Sequence, residues 1–376
     1  MLGSARRALR VPQDDWASNV TSVIRTAVAP HFEGNDFFRA QCDAAGFVPD
    51  DIVGRADLAK IPLLPVSMFK RQDAHVLLTA GLDEIELEVR STGTGGIPSV
   101  ARRDSATISN AVIGITSSYR DFFEISKGAG LFLCPSTAEA PEMGMVKVFN
   151  ILNGMFDDHA YVVRDYAFDP NEAMAYLERW QGIMTRHIIG PPFLINRFLR
   201  FLEFEGLSLE LDPDSMVIML GGWKRFNGES IGRDEFNRKV QSYLGVPADR
   251  VRDMYGLIES NMVAIECEHH RKHVPPWCYV SIRDVTDAGT ELPPGQTGAI
   301  AILDATNSAY PGYILSDDIG EVDESPCACG RNGQSVHFRR RRQGAELGCC
   351  AVSIEKFIES REIVEECRVP VEVKAG

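Results

Sequence analysis

The chain has 376 residues, 44% hydrophobic, 24% charged and 9% aromatic, enough to bury a large core across roughly one to three domains. Its 39 Lys+Arg against 53 Asp+Glu leave a net charge of −14, which argues against nucleic acid or anionic lipid as a partner. No apolar run approaches the ~20 residues that cross a bilayer, and the N-terminus has no signal-peptide core, so the expectation is a cytoplasmic protein without membrane insertion.

In chain order, residues 13–60 read as amphipathic helix with acidic connectors. IPLLPVSMFK at 61–70 reads as extended, because each proline pushes its predecessor toward β-like backbone. IELEVR at 85–90 alternates like a strand and runs into a glycine-rich tract. Helical stretches follow at 104–123, 170–186, 193–205 and 228–243, interleaved with apolar, strand-like runs at 130–135, 159–163, 187–190 and 216–222. That alternation predicts an α/β core with a largely parallel sheet. After 275 the pattern turns to short strands and turns, which predicts a small β-rich part over about 265–335. Residues 339–376 hold a basic run, a cysteine pair and one short helix around 352–360.

The tract after the strand is STGTGGIPS, Ser91, Thr92, Gly93, Thr94, Gly95 and Gly96 leading to Ile97, Pro98 and Ser99. Glycines let successive backbone N–H groups converge on one concavity and hydroxyls add donors, which suits an anionic phosphate. A strand before the tract and a helix after it favour a phosphate loop over a plain flexible linker. It is not a Walker A loop, because the Gly-Lys-Ser/Thr end is missing.

The nine cysteines are an odd count, and several are closely spaced near histidine, which suits metal or thiol chemistry better than a secreted disulfide framework. Cys267-x5-His273 followed by Cys327-x-Cys329 supplies a Cys₃His set that tetrahedral zinc accepts, with His269 and His270 as rival ligands. Such a closed site would be structural, clipping the β-rich part together.

The glycine tract resembles the phosphate loop of the adenylate-forming superfamily, Ser/Thr-Gly-Thr-Thr-Gly-x-Pro-Lys, with Gly95 in place of a threonine and Ser99 in place of the lysine. Three further segments follow in the family's order. Tyr255, Gly256 and Glu259 lie in a segment similar to Tyr-Gly-x-Thr-Glu, where the aromatic stacks near adenine and the glutamate holds Mg²⁺; Ile258 replaces the threonine. Magnesium takes one or two carboxylates plus phosphate oxygens, so a lone glutamate is chemically adequate. Asp318, beside Asp317, resembles the aspartate that grips both ribose hydroxyls, and a carboxylate can accept two hydrogen bonds from a vicinal diol. Gly221-Gly222-Trp223-Lys224 is similar to a segment typical of LuxE-type acyl-protein synthetases, the ATP-dependent subunits of bacterial fatty-acid reductase, and Lys224 could replace the absent loop cation. Arg341 stands where the superfamily has a hinge-region arginine near ATP, although the run at 339–342 also reads as a solvated basic patch. The Cys-x-Cys-Gly-Arg string at 327–331 resembles a zinc site of phenylacetate-CoA-ligase-like enzymes.

The resemblance runs from about residue 60 to about 358 and implies the large N-terminal domain of adenylate-forming enzymes over 1–338. Only residues 339–376 remain, too few for the family's mobile C-terminal domain. GAELGCC at 344–350 resembles the acyl-protein synthetases' Gly-Ala-Glu-x-Arg-Gly-Cys tract, so Cys350 is the candidate acyl acceptor, with Cys349 and Cys367 as alternatives. The implied activity is ATP-dependent activation of a carboxylic acid to an acyl-adenylate, then acyl transfer to a cysteine thiol on the chain itself or on a partner, a reductase or carrier protein. Glu259, Lys224 and Cys350 would be the catalytic residues, with ATP, Mg²⁺ and structural Zn²⁺ as cofactors. An acyl-CoA ligase, an adenylate donor to an amine, or an inactive nucleotide-binding subunit are the other readings. Phe193, Met219 and the apolar 136–149 segment are candidate walls for the acid.

Overall fold

One 12-stranded sheet organises the chain, in a computed structural model that describes residues 2–91, 97–125, 127–165, 167–222 and 232–343. Thr92, Gly93, Thr94, Gly95, Gly96, Lys224, Cys350, Cys349, Cys367 and the expected helix around 352–360 lie outside the described residues.

Half of the sheet is parallel: Asp158–Tyr161, Ala129–Phe132, Arg186–Gly190, Val217–Leu220 and Val251–Gly256 lie side by side in that order. Helices Ser105–Phe122, Pro170–Trp180, Pro192–Glu205 and Arg233–Leu244 alternate with these strands along the chain. Strands covered on both faces have no polar side to present, so Val217–Leu220 is apolar and buried at every position. Ala129–Phe132 sits between Asp158–Tyr161 and Arg186–Gly190, the next two strands of this sheet along the chain, so the strand order reverses there. In open α/β sheets ligands bind outside the carboxyl ends of strands near such a reversal.

The other half is antiparallel. Val263–Glu266, Lys272–His273, Ser335–Arg341, Tyr313–Asp323, Gly298–Asp304 and Cys278–Arg283 continue the same sheet from Val251–Gly256 outward. The β-rich part is therefore an extension of the central sheet. Its strand Ser335–Arg341 runs across the expected boundary at 338/339 and pairs with Tyr313–Asp323. Helices Gln13–Gly34 and Asp36–Ala45 pack Trp16, Val20, Ile24 and Phe38 against Tyr279, Leu303 and Tyr313 of this half.

Local structure departs from expectation in three places. The glycine tract is followed by a strand, Val100–Asp104, which pairs antiparallel with Ile85–Arg90, so the loop is the tip of a hairpin; the helix starts only at Ser105, capped by Asp104 accepting from the Thr107 N–H at 2.8 Å. The expected helix over 170–186 ends at Trp180, because Arg186–Gly190 is already a buried strand. Residues 61–70 form only the two-residue strand Leu64–Pro65 and a 3₁₀ turn at Val66–Lys70. No helix among the described residues is long and apolar enough to cross a membrane.

Candidate active site

A cavity of about 480 Å³ opens at the carboxyl ends of Val217–Leu220 and Val251–Gly256. Ser91 and Ser99 from the hairpin tip, Gly221, Gly256, Glu259, Asp318 and Arg341 all line it. Two glycines are sterically required where backbone forms the wall. Gly221 has φ 119, a conformation open to glycine, and a Cβ on Gly256 would sit 2.6 Å from the Met262 carbonyl oxygen.

The base of the hairpin tip is closed by two bonds: the Ser91 N–H donates to the Ser99 carbonyl at 3.0 Å, and the Ser99 N–H donates to the Ser91 hydroxyl at 2.8 Å. The ends of the glycine loop are thus held together at the cavity. Ser99, standing where the related loops carry a lysine, is 3% exposed and donates its hydroxyl to the Glu259 carboxylate.

Glu259 is buried, and burial raises its pKa above the ordinary glutamate value, with its own backbone N–H, Ser99 and Arg341 opposing that shift. A carboxylate so poorly compensated by protein charge gains most from a cation arriving in the cavity. The loop carrying it is fixed from below. Arg103 donates to the Ile258 carbonyl at 2.7 Å and to the Asn261 side chain, Tyr310 donates its hydroxyl to the Glu259 carbonyl at 2.8 Å, and Asp304 accepts from Ser260 Oγ at 2.8 Å.

Asp318 stands on the strand Tyr313–Asp323, opposite Arg341 in the register. Burial raises its pKa, while Arg341 and Tyr255 oppose the shift. Tyr255 donates its hydroxyl to Asp318 Oδ2 at 2.9 Å. Arg341 Nε approaches Asp318 Oδ1 to 3.0 Å as an ion pair without the angle of a hydrogen bond. The Tyr255 ring stacks on Phe338 with centroids 6.0 Å apart, an apolar shelf beside the carboxylate. Tyr255 thus acts at the cavity through Asp318, and Gly222 adjoins the lining residue Gly221.

About the antiparallel half, ligand atoms of Cys267, His273, Cys327 and Cys329 lie within 4.8 Å of one another. Cys267 Sγ and Cys327 Sγ are 3.7 Å apart, and Cys329 Sγ is 3.3 Å from His273 Nε2. The Cys267 thiol and the His273 imidazole hold Cys329 well below the ordinary thiol range, whereas its neighbours push Cys267 up. The rival His270 turns to Glu266, 3.4 Å away, at φ 58. Gly330, at φ 74, turns the chain so that Arg331 enters the core, where it meets the fully buried Asp121 at 2.9 Å and lies 4.2 Å above the Phe122 ring.

Two expected acid-pocket residues are elsewhere: Phe193, on helix Pro192–Glu205, and Met219, in the strand Val217–Leu220, are both packed in the core. The 136–149 segment does contribute, through Thr137, Met145 and Val148. The Arg103, Tyr310 and Asp304 supports carried no local sequence signal, since each acts on residues more than 40 positions away.

Residues 7–358 match the family described as acyl-protein synthetase, LuxE. A long-chain-fatty-acid–luciferin-component ligase of Vibrio harveyi is 29% identical over 346 residues, 90% of this chain and 88% of that protein. Its counterpart in Aliivibrio fischeri is 26% identical over 342 residues, again 90% and 88%. Among solved structures, a 2-hydroxyisobutyryl-CoA ligase in complex with 2-HIB-AMP and CoA superposes with a TM-score of 0.67 at 14% identity, over 89% of this chain and 70% of that one, a likeness of fold.

Proposed function

The chain belongs to the LuxE family of acyl-protein synthetases, and on that premise we propose that it condenses a fatty acid with ATP in the 480 Å³ cavity and passes the acyl group to a thiol. The observation that carries this reading is the convergence of Ser91, Ser99, Glu259, Asp318 and Arg341 on one cavity at the carboxyl ends of two parallel strands.

In the first step the acid's carboxylate oxygen forms a bond to the α-phosphorus of ATP and the bond to the β-phosphate oxygen breaks, releasing pyrophosphate. In the second, a thiolate attacks the acyl carbon and AMP leaves. Asp318 would accept both ribose hydroxyls, with Tyr255 and Arg341 fixing its orientation. The hairpin tip would direct backbone N–H groups at the phosphates, which is alignment and charge stabilisation rather than proton transfer. Magnesium, held by Glu259 and phosphate oxygens, would supply charge neutralisation. The apolar stretch of the cavity, with Leu87, Ile108, Ile115 and Ile151, suits a fatty chain.

Zinc fits the Cys₃His cluster. Sulfurs about 2.3 Å from a tetrahedral ion stand about 3.8 Å apart, against 3.7 Å for Cys267 and Cys327. Cys267, His273, Cys327 and Cys329 would hold it and cross-link the antiparallel strands. We assign the adenylate-forming unit through Arg341 and the acyl-accepting thiol to the segment beyond it, with Cys350 as first candidate, ahead of transfer to a reductase or carrier partner.

The test is ATP–pyrophosphate exchange across acids from acetate to palmitate, with a labelled-acid gel before and after hydroxylamine. Exchange that depends on a medium or long fatty acid, with a hydroxylamine-labile protein band, is expected. Absence of exchange with every acid would refute the reading, and exchange without a labile band would point to a soluble thiol such as CoA as acceptor.

A further inference from the structure

The cavity's walls carry four cationic side chains, Lys70, Arg103, Lys147 and Arg341. Three are engaged. Arg103 holds the Glu259 loop, Arg341 pairs with Asp318, and Lys70 has an interaction of its own. The Lys147 side chain alone among them has no ion pair or hydrogen bond with any described residue. Burial lowers its pKa. A partly buried ammonium at a mainly apolar cavity, with no counter-charge among the described residues, is costly unless an anion joins it.

The helix Gly144–Leu152 shows where that anion would sit. Its first residue abuts the Glu259 loop, since a Cβ on Gly144 would lie 2.7 Å from Ile258 Cγ2 and 3.0 Å from Val89 Cγ1. Lys147 follows three residues later, on the same face of the helix. Helical side chains lean toward the N-terminus, and Gly144 carries no side chain to compete for the space on that face. The next turn, Val148 and Ile151, faces Ala111 and Ile115 of helix Ser105–Phe122 across the apolar stretch. Lys147 thus lines the cavity between Gly144, which touches the Glu259 loop, and the apolar turn of Val148 and Ile151.

We propose that Lys147 is a catalytic cation that captures the carboxylate of the acid substrate at this junction and presents it to the α-phosphorus. The proposal rests on the adenylation reading above for the role of that carboxylate, but carboxylate capture itself is measurable without ATP. The residue supplies positive charge that Ser99 cannot supply in place of the lysine found in related loops. Nothing is covalently changed at Lys147, whose contribution is alignment of the nucleophile and relief of repulsion between two anions.

The experiment uses the full chain as wild type, Lys147→Met and Lys147→Arg, titrated calorimetrically with decanoate and with 1-decanol, which differ only at the polar end. Wild type is expected to prefer decanoate by about tenfold or more, the methionine variant to lose that preference, and the arginine variant to keep it. In pyrophosphate exchange the methionine variant should raise KM for the acid about tenfold with KM for ATP unchanged. Retention of the carboxylate preference in Lys147→Met, or its loss in the arginine and methionine variants alike, overturns the proposal. A wild type that prefers decanoate yet shows no exchange would sink the adenylation reading and leave carboxylate capture standing.

Discussion

Asp318→Asn separates nucleotide affinity from stability. The side chain is 4% exposed, and burial raises its pKa above the usual aspartate value of 3.8. For a carboxyl whose pKa is raised in the folded state, the associated stabilisation is full below the unfolded pKa and is lost as pH rises through the folded one. At neutral pH the ionised wild-type residue is therefore a net burden on folding that asparagine lacks. Asparagine can still accept from the Tyr255 hydroxyl, and Arg341, with its side chain 32% exposed, can turn to water. Stability at pH 7.5 should stay equal or rise, and the difference from wild type should shrink as pH falls through the raised pKa. ATP binding should behave oppositely. A hydrogen bond to a charged acceptor contributes about 1.5–3 kcal/mol and one to a neutral acceptor about 0.5–1.5, so two ribose hydroxyls lose roughly 2–3 kcal/mol together. That corresponds to roughly a 30- to 150-fold fall in kcat/KM for ATP in pyrophosphate exchange. The same assay with 2′-deoxy-ATP supplies the control, because wild type should discriminate against it and the variant far less. A variant within about threefold of wild type for ATP, or one that rejects 2′-deoxy-ATP as strongly, would refute the ribose-clasping role.

Two further outcomes are expected from the supports around the site. Purified protein should carry about one equivalent of zinc by elemental analysis; Cys329→Ser should lose it and unfold at a much lower temperature, since structural zinc contributes on the order of 10 kcal/mol of apparent binding energy, and less than about a tenth of an equivalent in wild type would remove the metal. Asp121→Asn should cost about 3–5 kcal/mol in urea unfolding, because it removes the buried carboxylate 2.9 Å from Arg331; a cost under about 1 kcal/mol would mean that Glu268, 3.5 Å from Arg331, and the Asp121 carbonyl suffice.

Much of this site could be read along the chain because its parts are short and locally coded. A strand buried on both faces must be apolar throughout, so Val217–Leu220 announces itself. A phosphate loop needs glycine, a ribose clasp needs a carboxylate, and the Cys₃His set has few other uses, so each was visible as residue types in order. The helix Gly144–Leu152 was not visible. Val146, Phe149 and Leu152 are buried in the core while Met145, Val148 and Ile151 line the cavity, so its apolar positions spread over more than half of a helix only nine residues long and form no narrow stripe. The strand Val100–Asp104 was missed because it is short and carries two adjacent arginines, one buried for a loop 158 positions away.

Sequence alone determined the α/β class, the order of the candidate ATP-handling segments and the candidate cysteine–histidine cluster, because periodicity and side-chain chemistry are properties of neighbouring residues. Only the tertiary structure decided that the β-rich part continues the central sheet, that Ser99 turns to Glu259, that Arg103 fixes the loop and that Lys147 lines the cavity with no counter-charge among the described residues. Those outcomes depend on strand pairings and packing between distant segments, where long-range geometry chooses among partners that local pattern leaves equivalent.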